Sequence, residues 1–154
     1  MTNDEVESCP FCAIVNGSAP AHVVHEDSTT MAIVPRHPAT TGHVLVIPKE
    51  HAADAWSISR RDFTEVNSSA WLVAQAVRKA LNPPGLNIIS STGEVATQTV
   101  FHLHVHVVPR WAGDAVNLEW PHGSTPLDFT REEVAETLRH YITSERTTKP
   151  RLQD

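Results

Sequence analysis

Every second residue between Phe101 and Val107 is an imidazole: His102, His104 and His106, separated by Leu103 and Val105. On a β-strand, alternate side chains point to opposite faces, so the three histidines would form a row on one face and the aliphatic residues would fill the other. A strand that only had to pack would carry ordinary polar residues on its outer face, so packing does not account for the row. Three readings fit it. Two imidazoles on one strand can ligate a metal, an imidazole can act as nucleophile and proton carrier in group transfer, and the row can be a solvated polar face.

A second constellation lies upstream. Cys9 and Cys12 are the only cysteines, and their Cys-x-x-Cys spacing suits one metal, although two cysteines in a short helix are also two small buried residues. Two further N or S ligands would close a tetrahedral structural zinc site and leave no position open for water or substrate.

The elements that position these residues are legible in outline. Cys9 to Asn16 reads as a short helix with Pro10 in its first turn and Gly17 as its stop. His22–Glu26 and Thr29–Val34 read as strands joined by a turn at Asp27-Ser28, and His43–Ile47 as a third strand after the Pro- and Gly-bearing loop 35–42. Ser59 with Asp62 caps a long amphipathic helix through Phe63, Val66, Ala70, Val73, Ala74, Val77 and Leu81, stopped by Asn82-Pro83-Pro84-Gly85. Leu86–Ser90 and Val100–Val108 read as two more strands, and Thr130 with Glu133 as the capping box of a last helix at about 131–145. The expected fold is α+β, a five-stranded antiparallel meander covered by one long helix, with a C-terminal helix. Residues 1–8 are expected as a flexible tail, 9–113 as the domain and 114–154 as an extension.

A net charge of −6 in 154 residues argues against a nucleic-acid-binding surface, which needs clustered Lys and Arg. No apolar run reaches membrane-spanning length, and the acidic start has no signal-peptide hydrophobic segment, so a cytoplasmic location is expected. In a reducing compartment the two cysteines are metal ligands or free thiols rather than a disulfide.

Three blocks then occur in a telling order: Cys9-Pro10-Phe11-Cys12-Ala13-Ile14-Val15-Asn16-Gly17, then Thr41-Gly42-His43-Val44-Leu45-Val46-Ile47-Pro48-Lys49-Glu50-His51, then Gly93 through Phe101-His102-Leu103-His104-Val105-His106-Val107-Val108-Pro109-Arg110. From about Cys9 to Trp111 the chain resembles the histidine triad (HIT) family of nucleotidyl hydrolases and transferases. The resemblance implies that His104 is the nucleophile that attacks the α-phosphorus of a purine nucleotide, that His106 assists at the phosphate oxygens or the leaving group, and that Gln98 and Thr99 donate hydrogen bonds to the α-phosphate. It further implies substrate contact at Ser91, a purine pocket lined by Phe11, Ile14 and Ile33, a structural zinc held by Cys9, Cys12, His51 and His102, and a homodimer. Gly42-His43 at a strand start recurs in the family, which makes His43 a candidate neighbour of the triad.

The stretch Arg110-Trp111-Ala112-Gly113-Asp114 resembles the ending of several bacterial diadenosine polyphosphate hydrolases and phosphorylases, so dinucleoside polyphosphates are the first expectation. Phosphoramidate hydrolysis and phosphorolysis are alternatives within the class. Three departures set this chain apart: Thr97 where the family often has Gly, Ser91 where Asn or Gln is common, and Pro35 where many relatives hold ribose with Asp. They leave two readings of other classes, a nucleotide-binding regulatory module and a zinc-dependent hydratase or hydrolase with the triad as ligands.

Overall fold

The computed structural model describes residues 8–118 and 129–148; all but the last residue of the expected tail at 1–8, and residues 119–128 and 149–154 of the C-terminal extension, lie outside the described residues. The chain divides into two compact units between Asn117 and Leu118. In the first unit the elements run α1 (Pro10–Val15), β1 (His22–Glu26), β2 (Thr30–Val34), β3 (Val44–Pro48), α2 (Arg60–Leu81), β4 (Gly85–Ile89) and β5 (Val105–Arg110), with a 3₁₀ turn at Glu94–Ala96 before β5. The second contains α3 (Arg131–Thr148).

All five strands pair antiparallel, in the order β1-β2-β3-β5-β4. The sheet is thus a meander only through β3; the chain then crosses through α2 to the far edge, and β5 returns between β4 and β3. Alternation along the strands makes two layers of core. Ala32, Val44, Val46, Val105 and Val107 face α2, where they meet Val66, Ala70, Val73 and Val77. Met31, Ile33, Leu45 and Ile47 face the other way and pack with Cys9 and Phe11 of the α1 segment.

Local chemistry sets the ends of these elements. The Ser59 hydroxyl accepts from Asp62 N–H at 3.0 Å to cap α2, and Asn82 takes the left-handed conformation at its end (φ 48°). In the β1–β2 turn, the Asp27 carboxylate accepts from the N–H and hydroxyl groups of both Thr29 and Thr30. The Arg110 guanidinium closes the end of β5 by bonding Asp114, Asn87 and the Val116 carbonyl. In α3, Thr130 and Glu133 make the reciprocal capping box expected of them.

Gly42 has φ +86°, and a side chain there would strike Leu81 and crowd Pro109, so glycine alone lets the chain turn this tightly into the position that presents His43.

The expected strand over Val100–Val108 starts late. Only His106 of the three histidines lies in β5; ahead of it, Gln98 and Leu103 bond to the loop after His51. Leu103 N–H goes to the Ala52 carbonyl. The three imidazoles still lie on one side: His102 meets Cys9, Phe11 packs on both His102 and His104, and His106 lies on the sheet face that carries Leu45, its register partner, which is the face toward α1.

Candidate functional site: a metal cluster joined to a histidine relay

Cys9 is the N-cap of α1, and its Sγ accepts from Cys12 N–H at 3.4 Å, so the short helix itself presents both sulfurs to one point. His51, just past β3, and His102 complete the group. Cys9 Sγ lies 3.4 Å and Cys12 Sγ 3.5 Å from His102 Nδ1, and Cys12 Sγ lies 3.2 Å from His51 Nδ1. All four ligand atoms fall within 4.8 Å of one another. A tetrahedral zinc with ordinary Zn–S and Zn–N bonds separates an N and an S ligand by about 3.5 Å. These residues fit such an ion.

The surroundings of the ligands agree with that fit. His102 is fully buried, and its Nε2–H donates to the Pro48 carbonyl at 2.9 Å, which leaves the Nδ1 lone pair facing the sulfurs. Burial, and then Cys9, push the Cys12 thiol up to about 11 when no cation offsets the charge, while burial first of all pushes His102 down to about 4.

Beside this cluster hydrogen bonds fix the tautomers of His43, His104 and His106. Ala39 N–H donates to His43 Nδ1 at 3.0 Å, so in the neutral ring Nε2 carries the proton. That Nε2–H donates to His106 Nδ1 at 2.9 Å, which places the proton of His106 on its own Nε2. His104 Nδ1–H donates to the His102 carbonyl at 2.8 Å, leaving His104 Nε2 with a free lone pair. The His104 and His106 rings stand 4.9 Å apart between centroids. A lone pair and an N–H donor, carried by adjacent rings, are what attack on an electrophile and stabilisation of the departing charge require.

The same burial that orders these rings disfavours their charged forms. It lowers His43 and His104, and with the further repulsion of His104 and His43 it takes His106 to about 4.

The other residues singled out in the sequence divide. Thr99 is exposed and Ser91 partly exposed. Gln98 has to be reassigned. Its side chain is only 3% exposed; its Oε1 accepts from Gly93 N–H at 2.8 Å, and its Nε2 donates to the carbonyls of Ala53 and Val100 at 2.7 and 3.0 Å. Both amide hydrogens are thereby committed to backbone, so this side chain ties the loop to its support instead of reaching for phosphate. Ile33, 2% exposed, belongs to the core under α1, Ile14 packs at the edge of that core, and Phe11 packs on the histidines themselves. Thr97 adopts φ +70°, so the loop keeps the glycine-like conformation with a threonine in it.

Sequence reasoning missed Ser90, whose hydroxyl donates to the His104 carbonyl at 3.2 Å. A lone serine at a strand end carries no signal of that contact.

With this geometry in place, the comparisons with known proteins are consistent with one another. The HIT domain family model matches residues 16–113, and the chain belongs to the HIT family. The fold is shared with SMU.412c from Streptococcus mutans UA159, at 38% identity over 92% of this chain and 87% of that one, with a TM-score of 0.80. A Zn-bound histidine triad family protein from Mycobacterium smegmatis is 37% identical over 94% of this chain and 99% of its own, with a TM-score of 0.68. A histidine triad nucleotide-binding protein from Candida albicans is 26% identical over 89% and 99% of the two chains, with a TM-score of 0.77.

Proposed function

We propose that this chain is a nucleotidyl hydrolase or transferase that cleaves a purine nucleotide at its α-phosphate through a covalent nucleotidyl-His104, with dinucleoside polyphosphates as its preferred substrates. The observation that carries the reading is the pair of opposed tautomers: a lone pair on His104 Nε2 and a proton on His106 Nε2, set by hydrogen bonds to Ala39, His43 and His102. His104 Nε2 attacks phosphorus and the bond to the leaving group breaks. A polyphosphate leaves as an anion, so His106 need only donate a hydrogen bond to it or to the phosphate oxygens. Water, or another acceptor, then attacks the adduct and frees His104. Thr99 and Ser91 are the further proposed phosphate and substrate contacts; Gln98 acts by holding the loop.

Cys9, Cys12, His51 and His102 would hold one zinc. A closed Cys₂His₂ set supplies structure and no Lewis-acid position, so the ion pins α1 to the loop that carries the triad. That the Mycobacterium smegmatis relative is zinc-bound supports zinc as the ion here. The free thiol pair suits a reducing compartment such as the cytoplasm. Among the described residues no helix is long and apolar enough to cross a membrane. A homodimer joining sheets edge to edge fits the two strands, β1 and β4, that stand at the sheet's edges among the described residues, the latter with Ile88 half exposed.

The test is turnover of diadenosine polyphosphates, adenosine and guanosine phosphoramidates and nucleotide sugars, with and without inorganic phosphate. Cleavage at the α-phosphate that His104→Asn abolishes is the expected result. Nucleotide binding with no turnover of any of them would replace this reading with that of a regulatory module.

A further inference from the structure

We infer that Thr40 is a positioning residue for the histidine relay: its hydroxyl ties the turn before β3 to the strand that carries His106, and so holds the backbone N–H that sets the His43 tautomer. This rests on the reading of His106 as the proton-bearing neighbour of a nucleophilic His104. Residues Thr40 to His43 form a turn closed by His43 N–H to the Thr40 carbonyl at 3.2 Å, and Gly42 supplies the positive φ at its third position. Just ahead of the turn, Ala39 N–H donates to His43 Nδ1 at 3.0 Å.

The two ends of this turn are held differently. The His43 end runs straight into β3, where Val44 pairs with Val107 of β5. The Ala39 end lies in the loop between β2 and β3 and needs another anchor. Thr40 provides it, because its hydroxyl donates to the Pro109 carbonyl at 2.7 Å in a partly buried position. Pro109 stands in β5, three residues beyond His106, so one strand carries both the anchor of the turn and the last ring of the relay. Two other contacts do less. The bond from Trp111 Nε1–H to the Thr41 carbonyl, 3.2 Å long, is exposed, and water can replace either partner. Gly42 comes close to Leu81 and Pro109, which limits how near the turn can approach but gives it no direction.

The consequence is carried by protons. A drift of the Ala39 end by about 0.5 Å takes its 3.0 Å bond to His43 Nδ1 beyond the ordinary range. Nδ1 of His43 is then free to carry the proton, its Nε2 becomes the acceptor, and the proton of His106 moves from Nε2 to the Nδ1 that faces His43. His106 thereby loses the donor it presents beside His104.

The experiment compares full-length wild type with Thr40→Val, which keeps the shape and removes the hydroxyl, and Thr40→Ser, which restores it. Val is expected to lower kcat about fivefold, the scale of one net hydrogen bond, with KM within about twofold and zinc content unchanged. The ¹⁵N signals of the His43 and His106 rings are expected to move toward the opposite tautomers in the Val variant, and Ser is expected to return both these signals and kcat toward wild type. If Val fails to fold, Thr40→Ala makes the same comparison. A lowered Tm with wild-type kcat and unmoved ring signals would make Thr40 a purely structural residue and overturn the inference, as would a raised KM with intact kcat, or a Ser variant no better than Val. If the wild-type protein turns over no nucleotide, the proposed activity fails by itself, and the ¹⁵N signals still decide the role of Thr40.

Discussion

Replacing His43 with leucine isolates the relay. The change removes the Nε2–H that donates to His106 Nδ1 at 2.9 Å and the Nδ1 that accepts from Ala39 N–H at 3.0 Å. Ala39 is exposed, so water can take over its N–H; His106 is only partly exposed, and its Nδ1 loses its partner. One partly buried hydrogen bond is worth about 1 kcal/mol net, with roughly 1–2 kcal/mol for an orphaned acceptor. Leucine returns some of that as apolar burial at a site only 5% exposed, so Tm should fall by about 5 °C at most.

The catalytic effect should be larger than the loss of stability suggests. A 1 kcal/mol preference is about a fivefold bias toward the His106 tautomer with its proton on Nε2, and outright loss of a transition-state donor costs about 10²- to 10³-fold. Partial loss of tautomer bias and of the ring's stacking on His43 places the expected fall in kcat at roughly tenfold, between these limits, with KM little changed. Steady-state kinetics alongside ¹⁵N measurement of the His106 ring nitrogens reads both effects. Unchanged kcat, or an unchanged His106 tautomer in the variant, would refute the relay.

Two further outcomes follow from the same contacts. Cys12→Ser should reduce zinc content, measured by elemental analysis on protein purified without chelator, and lower Tm by about 10 °C or more, because ligand loss withdraws binding energy from folding; full zinc content would reject the ligand set. The acid limb of the kcat against pH profile should lie below the ordinary histidine value of 6.5. Burial lowers His104 from that value and takes His106 to about 4, so the protonation that costs each ring its required tautomer is displaced to lower pH. An acid limb centred at or above 6.5 would contradict the burial argument.

How much of this was legible in the sequence depends on whether the signal was local. Helix α2 falls where Ser59 and Asn82-Pro83-Pro84 place it, because caps and stops act within one turn of chain. The β1–β2 hairpin is equally local, turning on Asp27. The entrance to β5 is different. Residues 98–104 look like strand by alternation, yet the Ala52 and Ala53 carbonyls take the Leu103 N–H and the Gln98 amide, and no pattern within the segment records partners some fifty residues away.

The site divides in the same way. The histidine motif and the Cys-x-x-Cys pair were readable from residue type and spacing, and His51 and His102 joined the pair only through the family resemblance. The burial of Gln98 and the Ala39–His43–His106 relay depend on how loops 35–42 and 93–100 come together, and residue type alone records neither.

The central claim, that His104 becomes covalently nucleotidylated, is tested most directly by rapid acid- and base-quench of wild-type protein mixed with a diadenosine polyphosphate labelled at the α-phosphate, followed by peptide mapping. The account predicts a burst of label, approaching one per chain, in an acid-labile, base-stable bond to the peptide containing His104, absent from His104→Asn. Steady product formation with no adduct on any quench time scale, or label on His102 or His106, would contradict it.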